Sequence, residues 1–111
     1  MSRSYELIAN STDSLLLCIL SEQPMYGYQI IKELRSRSGG YFNFKEGTLY
    51  PALHRLESDG LIQGKWEKLP NGQQRKYYYI TEKGRIRLLE KKDEWLGFLE
   101  AMNRIFQPSE A

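Results

Sequence analysis

The chain has 111 residues, of which 41% are hydrophobic and 27% charged, and it contains one cysteine. A chain of this length forms one domain with a modest core, and one cysteine excludes an internal disulfide or a cysteine-based zinc site. The longest apolar run, 15–20, is too short to span a bilayer, and no charged-then-apolar leader is apparent. We therefore predict an intracellular, cytoplasmic protein.

Positive charge is concentrated in one segment, although the net charge is only +2. Residues 64–87 carry seven basic side chains against two acidic ones, a local balance of +5. Such a segment indicates a face that attracts polyanions. The alternative is a solvated, lysine-rich hairpin whose charges keep an exposed strand edge from pairing with other chains.

The N-terminal part predicts two helices. Residues 1–10 lack glycine and proline and predict a short helical lead-in, and Ser11-Thr12-Asp13 offers capping groups for a first helix over about 12–22. Cys18 falls inside the apolar run, so we predict it buried as a small hydrophobic residue. A second helix is predicted over Tyr26–Arg37, where Gly27 would let another backbone approach closely, with 38–40 ending it.

The third helix is predicted over Glu46–Asp59, with the left-handed stop supplied by Gly60. Its apolar edge is spaced at i, i+4 and i+7, and the opposite edge is polar and aromatic: Thr48, Tyr50, His54 and Arg55. Because proline costs a helix interior about 3 kcal/mol, Pro51 is predicted in the first turn, with the N-cap near Gly47. Such a helix could read a DNA groove or be an ordinary surface helix.

After Gly60 the pattern becomes strand-like. The runs 61–69 and 73–80 are joined by Pro70-Asn71-Gly72, and Asn-Gly between two such runs is a strong hairpin signal. Trp66 is placed for an aromatic contact with a tyrosine of the opposite strand. The fold class predicted is mainly α with a two-stranded β wing, a winged helix-turn-helix.

A long last helix is predicted over 82–106, capped by Thr81 and closed by Pro108. It would run about 37 Å at roughly 1.5 Å per residue, longer than a three-helix core can cover. An apolar stripe follows it: Leu88, Trp95, Leu99, Met102 and Phe106. An exposed stripe of this size indicates an interface, most simply a two-fold dimer, and the alternative is a helix folded back onto its own core.

Several segments follow one another in a characteristic order and spacing: Tyr26-Gly27-Tyr28, the block 47–57 with Gly60-Leu61-Ile62, Arg75-Lys76-Tyr77-Tyr78 and 81–85. Together they resemble the PadR family of bacterial transcriptional regulators. The short tail resembles the compact subfamily, which has a single C-terminal dimerisation helix. The similarity extends over about residues 14–95.

The resemblance implies a homodimeric DNA-binding repressor without a cofactor, with residues 1–81 as the DNA-binding region and 82–111 as the dimerisation helix of the same domain. Its expected operator is an inverted repeat. The candidate DNA-binding residues are Tyr26, Thr48, Tyr50, His54, Arg55, Asn71, Gln73, Gln74, Arg75 and Lys76. The candidate dimer residues are Leu7, Ile8, Leu88, Trp95, Leu99, Met102 and Phe106.

Some compact members enclose a pocket for flat aromatic compounds at the dimer interface, lined partly by a tryptophan of the last helix. Trp95 is the matching residue, so it is a candidate ligand contact as well as a candidate dimer-core residue. A small-molecule signal that releases DNA is therefore part of what the resemblance implies.

An enzyme is not expected, because His54 and Cys18 lie on different helices and no carboxylate pair or glycine-rich phosphate loop stands out. A metal site is likewise not expected. The remaining alternative is a winged-helix protein–protein interaction module, or a sensor of small aromatic ligands, without direct DNA reading.

Overall fold

The computed structural model describes the backbone of residues 3–108 and the side chains of residues 11–108. The elements in that range are α1 Arg3–Glu22, β1 Met25–Tyr26, α2 Gly27–Arg37, α3 Glu46–Ser58, β2 Ile62–Lys68, β3 Gln74–Ile80 and α4 Glu82–Phe106. This order of helices followed by a hairpin and a long helix confirms the predicted winged helix-turn-helix.

Helix α1 is one continuous helix over Arg3–Glu22, so the expected helical lead-in is part of it and the predicted helix start near residue 12 was wrong. Thr12, predicted as a capping residue, lies inside the helix and is 2% exposed. Capping residues favour helix ends without forcing one, and 3–11 contains neither glycine nor proline to stop the helix. Cys18 is half-buried against the core, where burial was expected.

The core lies where the helices meet the inner face of the sheet. Every element of the fold contributes apolar side chains that are almost fully buried, including Leu16, Leu20, Met25, Ile30, Leu49, Leu53, Leu56, Leu61, Ile62, Tyr78 and Leu88. Such close packing fixes the relative positions of α1, α2 and α3.

The sheet has three strands in the order β1-β3-β2, so a third strand, which was not predicted, adds to the expected two-stranded wing. Met25 and Tyr26 of β1 pair antiparallel with Tyr78 and Tyr77 of β3. A two-residue strand has no alternation that a sequence can display, because it exists only through its pairing with a distant segment.

Strands β2 and β3 form the wing, which we define as residues 62–80, and the hairpin at Asn71-Gly72 is confirmed. The Leu69 amide donates to the Gln73 carbonyl at 2.7 Å, and Gly72 takes the left-handed φ of 90°. The register places Lys76 directly opposite Trp66, so the expected contact of Trp66 with a tyrosine across the strands was wrong.

Helix α4 starts as predicted, with the Thr81 hydroxyl accepting from the Gly84 amide at 3.1 Å. Leu88 is buried, but the exposed fraction reaches 82% at Ile105 and 71% at Phe106. The helix therefore extends beyond the core, as its length predicted. None of the helices within residues 3–108 is long and apolar enough to cross a membrane.

Candidate nucleic-acid interface

Helix α3 presents a polar face to solvent. Leu49, Ala52, Leu53 and Leu56 are buried, so α3 packs one side firmly on the core. Thr48 and His54 point outward as the sequence predicted, and both are exposed. The outward face is therefore held rigidly in position while its side chains remain accessible.

Pro51 lies in the second turn of α3, not the first, because the helix begins at Glu46 with Lys45 as its N-cap in place of Gly47. The Leu49 amide already donates to the Lys45 carbonyl at 2.9 Å. Proline in this position costs about 3 kcal/mol. Burying four apolar side chains gains about 1.5–3 kcal/mol for each large one, so packing outweighs that cost.

Tyr50 packs against the start of α2 through its ring. A Cβ at Gly27 would collide with the Tyr50 hydroxyl, so this glycine provides space for a side chain and not for the backbone that was expected. Burial, followed by the Glu46 charge, raises the pKa of Tyr50. Because 43% of the residue remains exposed, Tyr50 both braces α3 against α2 and reaches the outer surface.

Arg55 lies at the opposite border of the exposed face, beside α1. Its guanidinium is 3.4 Å from an Asp13 carboxylate oxygen, and both side chains are about half exposed. An exposed ion pair contributes about 0–1 kcal/mol, so a phosphate could replace Asp13 at little cost.

The wing tip carries three of the candidate residues together. Asn71, Gln73 and Gln74 are exposed, and the Asn71 side chain accepts from the Gln73 amide at 3.0 Å. That bond holds the tip in shape, with amide groups facing solvent.

Arg75 and Tyr26 join the wing to α2. The Arg75 guanidinium carbon lies 4.3 Å from the centre of the Tyr26 ring, and Tyr26 meets the Tyr77 ring edge-on at 5.5 Å. Arg75 is therefore half-buried on an aromatic base at the junction of the two segments.

Lys76 occupies a different environment, although it is adjacent in sequence. Its ammonium is 3.2 Å from a carboxylate oxygen of Glu57, and the other oxygen accepts from the Gly64 amide at 3.0 Å. The hydrogen bond from the Gly64 amide lowers the pKa of Glu57. Partial burial opposes this shift in pKa, and Lys76 adds to it. The expected direct contact of Lys76 with DNA therefore competes with an internal ion pair.

The basic segment 64–87 does not form one continuous face. Lys83 donates to the Asp59 carbonyl at 2.9 Å, and Arg85 donates to the Ser21 carbonyl at 3.4 Å. Lys68 and Arg75 are the basic groups on the hairpin nearest its tip. The local balance of +5 therefore overstates the charge that the wing presents.

Two functional candidates escaped the sequence reasoning. Tyr28 is 56% exposed at the start of α2, with the Lys32 ammonium 5.6 Å from its ring centre. Their i, i+4 spacing was a usable signal. Glu57 was missed because its partners lie on the wing, which no local pattern reveals.

An apolar groove of about 620 Å³ lies between α1, α4 and the segment after α2. Leu15, Phe42, Leu88, Trp95 and Leu99 line it. The Trp95 indole N–H donates to the Ser14 hydroxyl at 3.2 Å, which ties α4 to α1. The candidate dimer residues Leu88, Trp95, Leu99 and Met102 border this groove, whereas the side chains of Leu7 and Ile8 fall outside the described residues.

Among the described residues there is no group of three or more histidine, cysteine, aspartate or glutamate side chains placed to hold a metal. His54 is exposed on α3, whereas Cys18 is half-buried on α1.

Comparison with known proteins gives a consistent result. The model of the transcriptional regulator PadR-like family matches residues 16–90. The chain is 38% identical over 72 residues to transcriptional regulator Rv3488 of Mycobacterium tuberculosis, covering 65% of this chain and 64% of that protein. An uncharacterized protein of Lysinibacillus sphaericus is 35% identical over 98 residues, covering 88% and 90% of the two chains.

Solved structures show the same architecture. A transcriptional regulator from Clostridium thermocellum superposes with a TM-score of 0.84 at 31% identity, covering 96% of this chain and 99% of that one. The PadR-like regulator BC4206 of Bacillus cereus gives 0.82 at 31% identity, covering 94% and 99%.

Proposed function

This chain belongs to the PadR-like family of transcriptional regulators, and on that premise we propose that it binds an inverted-repeat operator as a homodimer and represses transcription. Members of this family are transcriptional regulators and not enzymes. In the proposal, residues 1–81 bind DNA and 82–111 form the dimerisation helix.

The observation that best supports the proposal is the exposed face of α3 beside the wing. Thr48, Tyr50 and His54 enter the major groove, with Arg55 reaching a phosphate or a guanine in exchange for its weak pairing with Asp13. A helix buried along one side and exposed along the other supports this role, because it can enter a groove without disturbing the core.

The wing lies over the DNA backbone in this proposal. Asn71, Gln73 and Gln74 at the tip contact phosphates or the adjacent minor groove, and Arg75 contributes positive charge from its position on Tyr26. Each basic contact with a phosphate adds about one unit to the salt dependence of binding.

Dimerisation through α4 is supported by its exposed apolar surface. Besides Ile86, six of its large hydrophobic side chains are about half exposed or more: Leu89, Leu96, Phe98, Leu99, Ile105 and Phe106. Exposed clusters of this kind mark interaction sites. A two-fold dimer covers them with the same surface of a second copy and places two α3 helices about 34 Å apart, one turn of duplex or a multiple.

The groove beside Trp95 suggests how the repressor is released. Its apolar lining and volume of about 620 Å³ fit a flat aromatic compound. We propose that such a compound inserts against Trp95 and changes the angle between α4 and α1, and with it the separation of the two α3 helices.

Selection of bound sequences from a random duplex pool tests the function, using purified protein at moderate salt with its oligomeric state measured by light scattering. The expected result is an enriched inverted repeat bound by a dimer, with affinity that falls steeply as salt is raised. A folded protein that enriches no sequence and binds no duplex would instead support the protein–protein interaction module.

A further inference from the structure

We propose that Glu57 positions the wing for DNA binding by a three-residue contact with Gly64 and Lys76, which we call the Glu57 clamp. One carboxylate oxygen accepts from the Gly64 amide at 3.0 Å, and the other pairs with the Lys76 ammonium at 3.2 Å. A single side chain in the last turn of α3 thereby holds both strands of the wing. The inference rests on the DNA-binding function proposed above.

The position of β2 at the edge of the sheet explains why Gly64 needs this partner. Alternate amides of an edge strand point away from the neighbouring strand and have no ladder partner there. The Gly64 amide is one that turns toward α3, where the carboxylate receives it. A hydrogen bond to an ionised acceptor is roughly twice as strong as one between neutral groups.

The glycine at position 64 is explained by space and not by backbone conformation. The φ of Gly64 is not positive, so another residue could adopt its backbone angles. A Cβ there would collide with the Lys76 side chain and lie 3.0 Å from the Glu57 carboxylate. Lys76 reaches Glu57 by crossing the bare backbone of Gly64.

The clamp assigns Lys76 a different role from that of Arg75. The Lys76 ammonium forms an ion pair with Glu57 and also lies 5.5 Å from the Tyr78 ring centre. It is therefore a positioning residue. From Gly64 to the end of β2 the wing extends four residues, about 13 Å at roughly 3.3 Å per residue, so a small tilt at the clamp displaces the tip.

Operator affinity in Glu57→Ala, Lys76→Met and the double variant tests the clamp, with the duplex enriched from the random pool as the probe. Each single variant should weaken binding by roughly tenfold, and the double variant by no more than either one, because both changes break the same contact. The slope of affinity against salt should stay that of the wild type. Tighter binding by Glu57→Ala, or a slope reduced by about one unit in Lys76→Met, would overturn the proposal, because Lys76 would then contact phosphate directly.

Hydrogen exchange provides a measurement that needs no DNA. The backbone amide at position 64 should exchange with solvent at least several-fold faster in Glu57→Ala and in Gly64→Ala than in the wild type. Unchanged exchange in both variants would overturn the proposal of the clamp. Gly97→Ala is the matched control, because a Cβ at Gly97 meets nothing within 4 Å. If the wild type selects no duplex, the proposed function fails and the role of the clamp in DNA binding fails with it, while the exchange rates still decide whether the contact holds the wing.

Discussion

The Arg75 guanidinium stacks on the Tyr26 ring, with 4.3 Å between its central carbon and the ring centre. This contact crosses from the wing to the residue that precedes α2. It fixes the direction of a cation that would otherwise sample many rotamers, and a guanidinium above a ring retains hydrogen-bond donors at its edge.

Replacing Arg75 with alanine should weaken binding to all duplex sequences and lower the salt slope by about one unit. Tyr26→Ala should weaken binding by a smaller amount, about two- to fivefold, matching the roughly 0.5–1 kcal/mol of an exposed cation–π contact. Tyr26→Phe keeps the ring and is the control. A loss in Tyr26→Phe equal to that in Tyr26→Ala would show that the hydroxyl itself contacts DNA, contrary to this account.

The proposed dimer can be tested by comparing two side chains of α4 with similar exposure. Leu99 is 49% exposed and Ile86 is 56% exposed, but thirteen residues at about 100° each place them roughly 140° apart on the helix. Leu99→Glu should raise the dimer dissociation constant at least tenfold, because it buries a charge in the interface. Ile86→Glu should leave the constant unchanged, as measured by analytical ultracentrifugation. Equal effects of the two substitutions would argue against an interface on the Leu99 side.

Stability should depend on pH through Glu57. Its pKa in the folded protein lies below the ordinary value of 4.5, chiefly because the Gly64 amide stabilises the carboxylate. The resulting stabilisation is fully present above pH 4.5 and is lost as pH falls toward the lowered pKa. Denaturant unfolding between about pH 6 and 3 should therefore show a shallower loss of unfolding free energy in Glu57→Gln than in the wild type. Parallel curves for the two proteins would contradict this assignment.

Gly84 allows α4 to start in contact with the wing. A Cβ there would collide with the Leu61 carbonyl oxygen and lie 2.8 Å from an Ile80 side-chain carbon. Gly84→Ala should lower the free energy of unfolding by about 1–3 kcal/mol, the usual range for overpacking. Gly97→Ala should be neutral or stabilising by up to about 1 kcal/mol, since alanine is the better helix former and nothing obstructs it. A stabilising Gly84→Ala, measured by denaturant unfolding, would show that the backbone there is not tightly packed.

Local patterns predicted most of the fold. The starts of α2 and α4 and the Asn71-Gly72 hairpin follow from capping groups, glycines and changes of period, all of which lie within a few residues of their effect. Strand β1 could not be predicted in this way, because Met25 and Tyr26 become a strand only by pairing with residues more than fifty positions later.

The sequence predicted which types of residue the candidate site contains better than it predicted the contacts that each side chain makes. The exposed positions of Thr48 and His54 followed from helical spacing alone. The partners of Arg55 and Lys76 did not, because Asp13 and Glu57 are 42 and 19 positions away. A sequence indicates which side chains carry charge, whereas tertiary contacts decide which of those charges are already compensated.

Strand β1 ends at Tyr26, immediately before α2 begins, and it pairs with the middle of the wing. The short strand thus connects the wing to α2, while the Glu57 clamp connects the wing to α3. With both attachments in place, the wing, α2 and α3 are held together as one unit. In the dimer proposed above, a signal that releases DNA therefore rotates one such unit against the other. The crossing of α1 and α4, where the Trp95 indole N–H donates to Ser14, is where that rotation is set.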